Sequence, residues 1–343
     1  MPLGVLSKRK PEFSNVLRVL NRQVPERPTL FEFFLNESLY RELSGMEPQA
    51  EGGSAQYLGM VVAAYANAGY DYAPVGIPGF GFPTKPVAHK SSRGMSDTAI
   101  ITDWDSFRAY PWQDPAGANH PILDELAKAL PDGMKMMAYG PGGVLENVMW
   151  LIGFEPLCYM LMDDPKLVEA VFEEVGSRLV RYYEIVGAYS GVGWCMSNDD
   201  WGFNTQTMLS PADMRKHVFP WHKKIVEAIH AHGKPATLHS CGNLTDLMDE
   251  IVDELGYDGK HSYEDGILPV EEAYEKWGSR IAILGGIDVD FVCRRTPEEI
   301  YARAKALLER TAGRGGYALG TGNSVPAYVP KEGYYAMISA AHD

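Results

Sequence analysis

Apolar residues recur along this chain in two alternating rhythms. Short runs, apolar at every second position or nearly throughout, end in Gly, Asn or Asp. Longer segments with apolar residues three and four apart follow them. The short runs predict eight strands: RPTLFEFFLN (27–36), YDYAPVGIPGF (70–80), MKMMAYGPGG (134–143), GVGWCMSNDDWG (191–202), KPATLHSCGN (234–243), GKHSYEDG (259–266), RIAILGGID (280–288) and GGYALGTGNS (315–324). Among the longer segments, Pro165–Tyr189 sets Leu167, Val168, Val171, Phe172, Val175, Leu179 and Val180 on one helical stripe. Residues 210–233 open on Ser210 as N-cap with Pro211 at the first helical position and close on Gly233. Thr296 and Pro297 repeat that start for 296–316, and KEGYYAMISAAHD reads as a last helix.

Strict alternation of strand and helix predicts a parallel sheet with helices outside it. Eight such units predict an α/β fold, a (β/α)8 TIM barrel forming one domain over 1–343, with 1–26 as an N-terminal helical extension. The stretches before the third and fourth strands (81–133 and 144–190) exceed plain connections and read as helical and loop insertions, with GFPTKPVAHKSSRGMSDTAIITDWDSF (81–107) in the first as a lid or short hairpin. An open doubly wound sheet is the other arrangement; no G-x-G-x-x-G follows the first strand to support its dinucleotide-binding form.

Composition narrows the class. With 45% hydrophobic and 22% charged residues, the chain matches an average soluble enzyme. No segment is predicted to span a membrane, and MPLGVLSKRKPEF lacks the apolar core of a secretion signal, so a cytoplasmic location is expected. The formal charge, 31 − 45 = −14, argues against nucleic-acid backbones as partners. Cys158, Cys195, Cys241 and Cys293 form no C-x-x-C pair and predict no disulfide framework. The oligomeric state stays open, a homo-oligomer included.

In a barrel of this kind the working face lies where the strands end. Reading off those ends gives Glu32 and Asn36, Tyr139, then Asn198, Asp199, Asp200 and Trp201. His239 and Cys241 follow, then His261 and Glu264, Asp288, and finally Asn323 and Ser324. His239 and Cys241 share strand parity, about 6.6 Å apart along the strand, so both side chains reach the same side. Two readings stand open on spacing alone: a pair of metal ligands, or a buried Cys beside a hydrogen-bonded His. Adjacent Asp199 and Asp200 alternate sides, so at most one faces the centre. The histidines at 217, 222, 230 and 232 are expected to be exposed or to pack on a helix rather than ligate.

Three stretches together resemble the uroporphyrinogen decarboxylase superfamily: LSPADMRKHVFPWHKKIVEAIHAHGKPATLHSCGN, RIAILGGIDVDFVCRRTPEEI and GGYALGTGNSVPAYVP. The resemblance runs from about Tyr139 onward and implies one (β/α)8 barrel with its site at the strand ends. The decarboxylases of that superfamily carry an arginine-rich R-Q-A-G-R element after the first strand; here LFEFFLNESLYREL stands in its place. The resemblance is therefore to the zinc-dependent methyltransferases, which exchange methyl groups with a corrinoid protein or coenzyme M and bear H-x-C-G on the fifth strand.

That branch implies Zn²⁺ on His239 and Cys241. Its third ligand is a Cys in the eighth-strand loop, where this chain has Asn323, so a carboxylate of Asp199, Asp200 or Glu264 is expected to complete the site or handle a proton. Tyr139, Trp201 and Asn323 are expected to bind substrate. Phe80, Phe82, Phe203, Tyr263 and Tyr328 are further aromatic candidates for the pocket. A hard oxygen ligand in place of a second thiolate suits Lewis-acid activation of an ether. The expected function is transfer of a methyl group from a small donor, a methoxylated aromatic first, to the cobalt of a corrinoid. No D-x-H-x-x-G attachment motif is present, so that cobalamin-type cofactor would arrive on a partner corrinoid protein. The alternatives are a methylcobalamin:thiol methyltransferase, a decarboxylase, and a non-catalytic tetrapyrrole-binding barrel.

Overall fold

The computed structural model describes residues 9–47, 53–84 and 99–342. Seven parallel strands follow one another in chain order across a single sheet: β1 (Tyr72–Gly76), β2 (Lys135–Tyr139), β3 (Val192–Asn198), β4 (Ala236–His239), β5 (Gly259–His261), β6 (Ala282–Leu284) and β7 (Tyr317–Ala318). Each lies inside one of the predicted runs from the second to the eighth. Helices connect them, as parallel crossovers require.

The first predicted run is a correction to the eight-strand expectation. Residues 27–36 form no ladder; they make isolated parallel bridges, Leu30 to Leu319 and Leu35 to Val325. Phe31 N–H donates to Leu319 O and Leu319 N–H donates to Thr29 O, which ties this segment to β7. On its other side, tyrosine hydroxyls take the place of a strand partner. Tyr72 Oη accepts from Glu32 N–H (2.7 Å) and donates to Glu32 O (2.6 Å), while Tyr65 Oη contacts the carbonyls of Glu32 and Phe33. The buried main-chain groups are thus satisfied without a ladder. The architecture is barrel-like, with seven strands and one bridging segment.

The predicted caps are present. Ser210 and Thr296 each accept a backbone N–H at the start of a helix, and Thr296 with Glu299 completes a capping box; Asp164, which was not predicted, caps Pro165–Gly187 in the same way. The stretch predicted as one helix from Ser210 is interrupted: a π turn (Met214–Val218) precedes the α-helix Phe219–His230. Pro220, with no N–H to give, stands at that junction. The long insertions are helical, as expected: Trp104–Ala109 and Ile122–Ala129 before β2, then Val144–Ile152, Phe154–Asp163 and Pro165–Gly187 before β3. Most of the predicted lid, 85–98, lies outside the described residues.

At the N-terminal side, the helix Ser14–Leu20 covers the strand starts. Phe13 stacks on Trp194 of β3, Phe13 N–H donates to Gly133 O before β2, and Leu20 packs over Gly259 of β5. That closes one end of the sheet and leaves the C-terminal ends of the strands for chemistry. No single helix among the described residues is long and apolar enough to cross a membrane.

Candidate metal centre

β3 and β4 pair in register to Asn198↔His239, and Asp199 N–H donates to His239 O one residue further. Beyond that point alternation sends the two aspartates apart. Asp199 turns outward and is fully buried: its carboxylate accepts from Leu145 N–H and Glu146 N–H (2.9 Å each) at the start of helix Val144–Ile152. His222 Nε2 adds a contact at 2.8 Å, and His222 Nδ1 meets Tyr257 Oη at 2.7 Å. With helix donors and an imidazole around it, Asp199 is an anchor for that helix rather than a free acid. His222, expected to be exposed or to pack on its helix, holds this anchor.

Asp200 turns inward. Its Oδ1 accepts from Cys241 N–H (2.8 Å) and stands 3.8 Å from His239 Nε2. Cys241 Sγ is 3.7 Å from the same Nε2. One ligand atom each from Asp200, His239 and Cys241 therefore falls within 4.8 Å of the others, the single such group of three or more among the described residues. A tetrahedral zinc ion, ~2.0–2.3 Å from N, O and S ligands, has edges of about 3.5 Å. The imidazole, thiol and carboxylate fit that frame with small closure and leave a fourth position open.

Protonation fits as well. Burial pushes His239 down to about 4, against the opposing charge of Asp200 and with a further push from Lys260, which leaves a bare imidazole nitrogen at neutral pH. Burial, reinforced by Asp200, holds the Cys241 thiol well above its ordinary range until a cation replaces its proton. Asn323 is not aimed at an open cleft: its Nδ2 donates to Cys241 Sγ at 3.3 Å.

The chain must pass closely here. Gly242, at φ +88°, crosses Gly202 so tightly that a Cβ on it would lie 2.1 Å from Gly202 O. Only glycine fits both demands. Asn243 N–H then donates to Phe203 O and locks the two loops.

The other predicted site residues divide. Tyr139, at the end of β2, stands edge-on to Phe33 (5.3 Å) and Phe34 (5.1 Å), and Phe33 in turn packs on His239 (4.9 Å). These three rings form an aromatic wall beside the cluster, and burial lifts the Tyr139 hydroxyl to about 12. Trp201 corrects the expectation: the chain turns after β3, and its fully buried ring lies against Phe219 and His222. Glu264 also stays apart, lining a cavity of about 30 Å³ with Lys260, Tyr263 and Trp277. Phe80 stacks on Tyr182, Phe203 meets Phe154, and Tyr328 is exposed.

Sequence reasoning missed one group that bears on the cluster, Glu146, and the partner of a second, His261. Glu146 accepts from Gly143 N–H, and burial with the charges of Asp199 and Asp200 pushes its carboxyl well above the usual range. His261, on β5 in register with His239, places its Nδ1 2.8 Å from His239 Nδ1. Only the β4–β5 register reveals that contact.

A barrel-like parallel α/β protein with a His–Cys–Asp cluster at the strand ends is the class defined so far. The family model for uroporphyrinogen decarboxylase (URO-D) matches residues 103–343, and the chain belongs to that family. Uroporphyrinogen decarboxylase from Streptomyces avermitilis is 28% identical over 138 residues, 39% of this chain and 36% of the relative. That from Geobacter sp. is 27% identical over 190 residues, 55% of this chain and 52% of the relative. The chain thus spans about a third to a half of the length of the curated relatives it matches. Among solved structures, a methyltransferase from Methanosarcina mazei superposes with a TM-score of 0.72 at 14% identity, covering 97% of this chain and 98% of its own. A putative vitamin-B12 independent methionine synthase from Listeria monocytogenes gives 0.54 at 11% identity, covering 92% and 97%. These two likenesses are of fold.

Proposed function

We propose that this chain is a zinc-dependent methyltransferase that takes a methyl group from a small ether, a methoxylated aromatic first, and delivers it to the reduced cobalt of a corrinoid carried by a partner protein. The observation that carries this reading is the convergence of His239 Nε2, Cys241 Sγ and an Asp200 oxygen on one point. His239, Cys241 and Asp200 would hold the ion. When bound, zinc with one thiolate and one carboxylate supplies Lewis acidity suited to an ether oxygen.

The chain's own residues supply the rest. Phe33, Phe34 and Tyr139 offer flat apolar surface beside the open position. Asn323 holds the Cys241 sulfur in place. Glu146 accepts from Gly143 N–H and, pressed by burial and by the charges of Asp199 and Asp200, keeps its proton to higher pH than a solvated carboxyl. The fold likeness to the Methanosarcina mazei methyltransferase supports the reading. So does LFEFFLNESLYREL, with a single arginine where a polycarboxylate substrate needs several cations.

The test combines metal analysis with turnover. Purified chain should hold about one zinc, lost in His239→Ala and Cys241→Ala, and should convert cob(I)alamin to methylcobalamin with a methoxyarene but not with a methyl-free phenol. Undiminished zinc in both variants, or an unchanged cobalt spectrum with every methyl ether tried, would overturn it.

A further inference from the structure

We infer that His261 is a positioning residue: through a chain of three hydrogen-bonding groups it fixes which nitrogen of His239 is bare, and so presets that imidazole to take a metal at Nε2. The inference rests on the metal-binding reading above and goes beyond it.

The chain starts at a main-chain carbonyl. His261 Nε2 lies 3.1 Å from Thr321 O, and a carbonyl only accepts, so His261 Nε2 carries the hydrogen. In the neutral ring, Nδ1 of His261 is then bare. Its neighbour at 2.8 Å is Nδ1 of His239, and two bare nitrogens cannot meet at that distance without repulsion. His239 Nδ1 must therefore donate, which leaves His239 Nε2 as the lone pair. That is the atom facing Cys241 Sγ and Asp200 Oδ1. The opposite tautomer pair would waste the carbonyl and direct an N–H into the cluster.

The anchor is itself held. Thr321 N–H donates to Glu32 Oε2 at 3.1 Å, and Thr321 O also accepts from Gly286 N–H at 2.9 Å. Phe31 packs edge-on to His261 at 4.8 Å and Phe33 on His239 at 4.9 Å, so neither ring is free to flip. Both histidines are buried, which removes water as a rival partner. Partners that orient metal-binding imidazoles commonly change affinity by 10–100-fold when removed. Here the partner is a second imidazole instead of a carboxylate, so no buried charge is needed.

Two variants and one spectrum test this. His261→Leu keeps bulk and removes the acceptor; His261→Asn places Oδ1 where Nδ1 was and keeps it. By competition against a chelator, zinc affinity should fall about 10–100-fold in the Leu variant and stay within a few-fold of wild type in the Asn variant. Equal affinity for Leu and wild type, or equal loss in Leu and Asn, would overturn the role. In the metal-free wild-type chain, ¹⁵N spectra of the histidine rings should show His239 protonated at Nδ1 and bare at Nε2. The reverse, or an equal mixture, would also overturn it. The spectrum needs no metal, so it separates this inference from the methyltransferase reading: a chain that binds zinc and shows that tautomer but leaves cobalt unmethylated refutes the latter alone.

Discussion

Asn323 Nδ2 donates to Cys241 Sγ at 3.3 Å, linking the loop after β7 to the exit of β4 across 82 residues of chain. An N–H aimed at sulfur favours thiolate over thiol, and hydrogen bonds to charged groups contribute about 1.5–3 kcal/mol. Asn323→Ala should therefore weaken zinc binding by roughly 10–100-fold, read by chelator competition. Asn323→Cys should bring a second sulfur to the same point and bind zinc more tightly than Asn323→Ala.

Metal uptake should expel a proton, and the source should be Cys241. His239 lies at about 4 and is already bare at neutral pH, whereas burial keeps the Cys241 thiol protonated. Calorimetry in buffers of differing ionisation enthalpy should give close to one proton released per zinc at pH 7. Apparent affinity should rise with pH between 6 and 8, and Cys241→Ala should lose both effects.

Glu32 should make the fold weaker as pH rises. Burial lifts it from 4.5 to about 8, so the folded chain holds that proton more firmly than the unfolded one. Its contribution is complete below pH 4.5 and is lost as pH climbs through 8, by roughly 2–5 kcal/mol in order of magnitude. Glu32→Gln keeps an acceptor for Thr321 N–H, while Thr321 Oγ1, which donates to Glu32 Oε1, has to turn and accept from the new amide N–H. Denaturant midpoints of this variant should be flatter from pH 5 to 8 than those of wild type, and higher at pH 8.

Gly242→Ala should damage the fold and the metal site together. The new methyl meets Gly202 O at 2.1 Å and the backbone sits at φ +88°. A loss of about 2–4 kcal/mol is expected by analogy with other strained or overpacked sites, together with weaker zinc binding. Gly233→Ala, also at positive φ but with open space around it, should cost less; thermal unfolding of the pair separates clash from backbone strain.

How far the site could be read beforehand follows from parity. His239 and Cys241 share a strand face, and Asp199 and Asp200 alternate, so three cluster members and the outward turn of one aspartate follow from a period of two. Alternation carries one or two residues past the strand ends, to Asp199, Asp200 and Cys241, but not to Trp201, three beyond the end of β3, where the chain has already turned. Glu264 likewise stands three residues beyond β5, which ends at His261, and lies apart from the cluster. His261 was visible as a residue but not as a partner, since its role lies in the β4–β5 register. The apolar alternation in RPTLFEFFLN promised a strand; the competing partners, hydroxyls of Tyr65 and Tyr72, come from a distant helix and from β1.

Because Gly202 and Gly242 pass back to back with no side chain between them, the loop bearing Asp200 and the loop bearing Cys241 cannot be remodelled one at a time. A descendant of this chain that re-aims one must alter its counterpart in the same step. New substrate preferences should therefore arise first in the bridging segment 27–36 and at the end of β2, where Phe33, Phe34 and Tyr139 can vary while the cation's cradle is inherited as a unit.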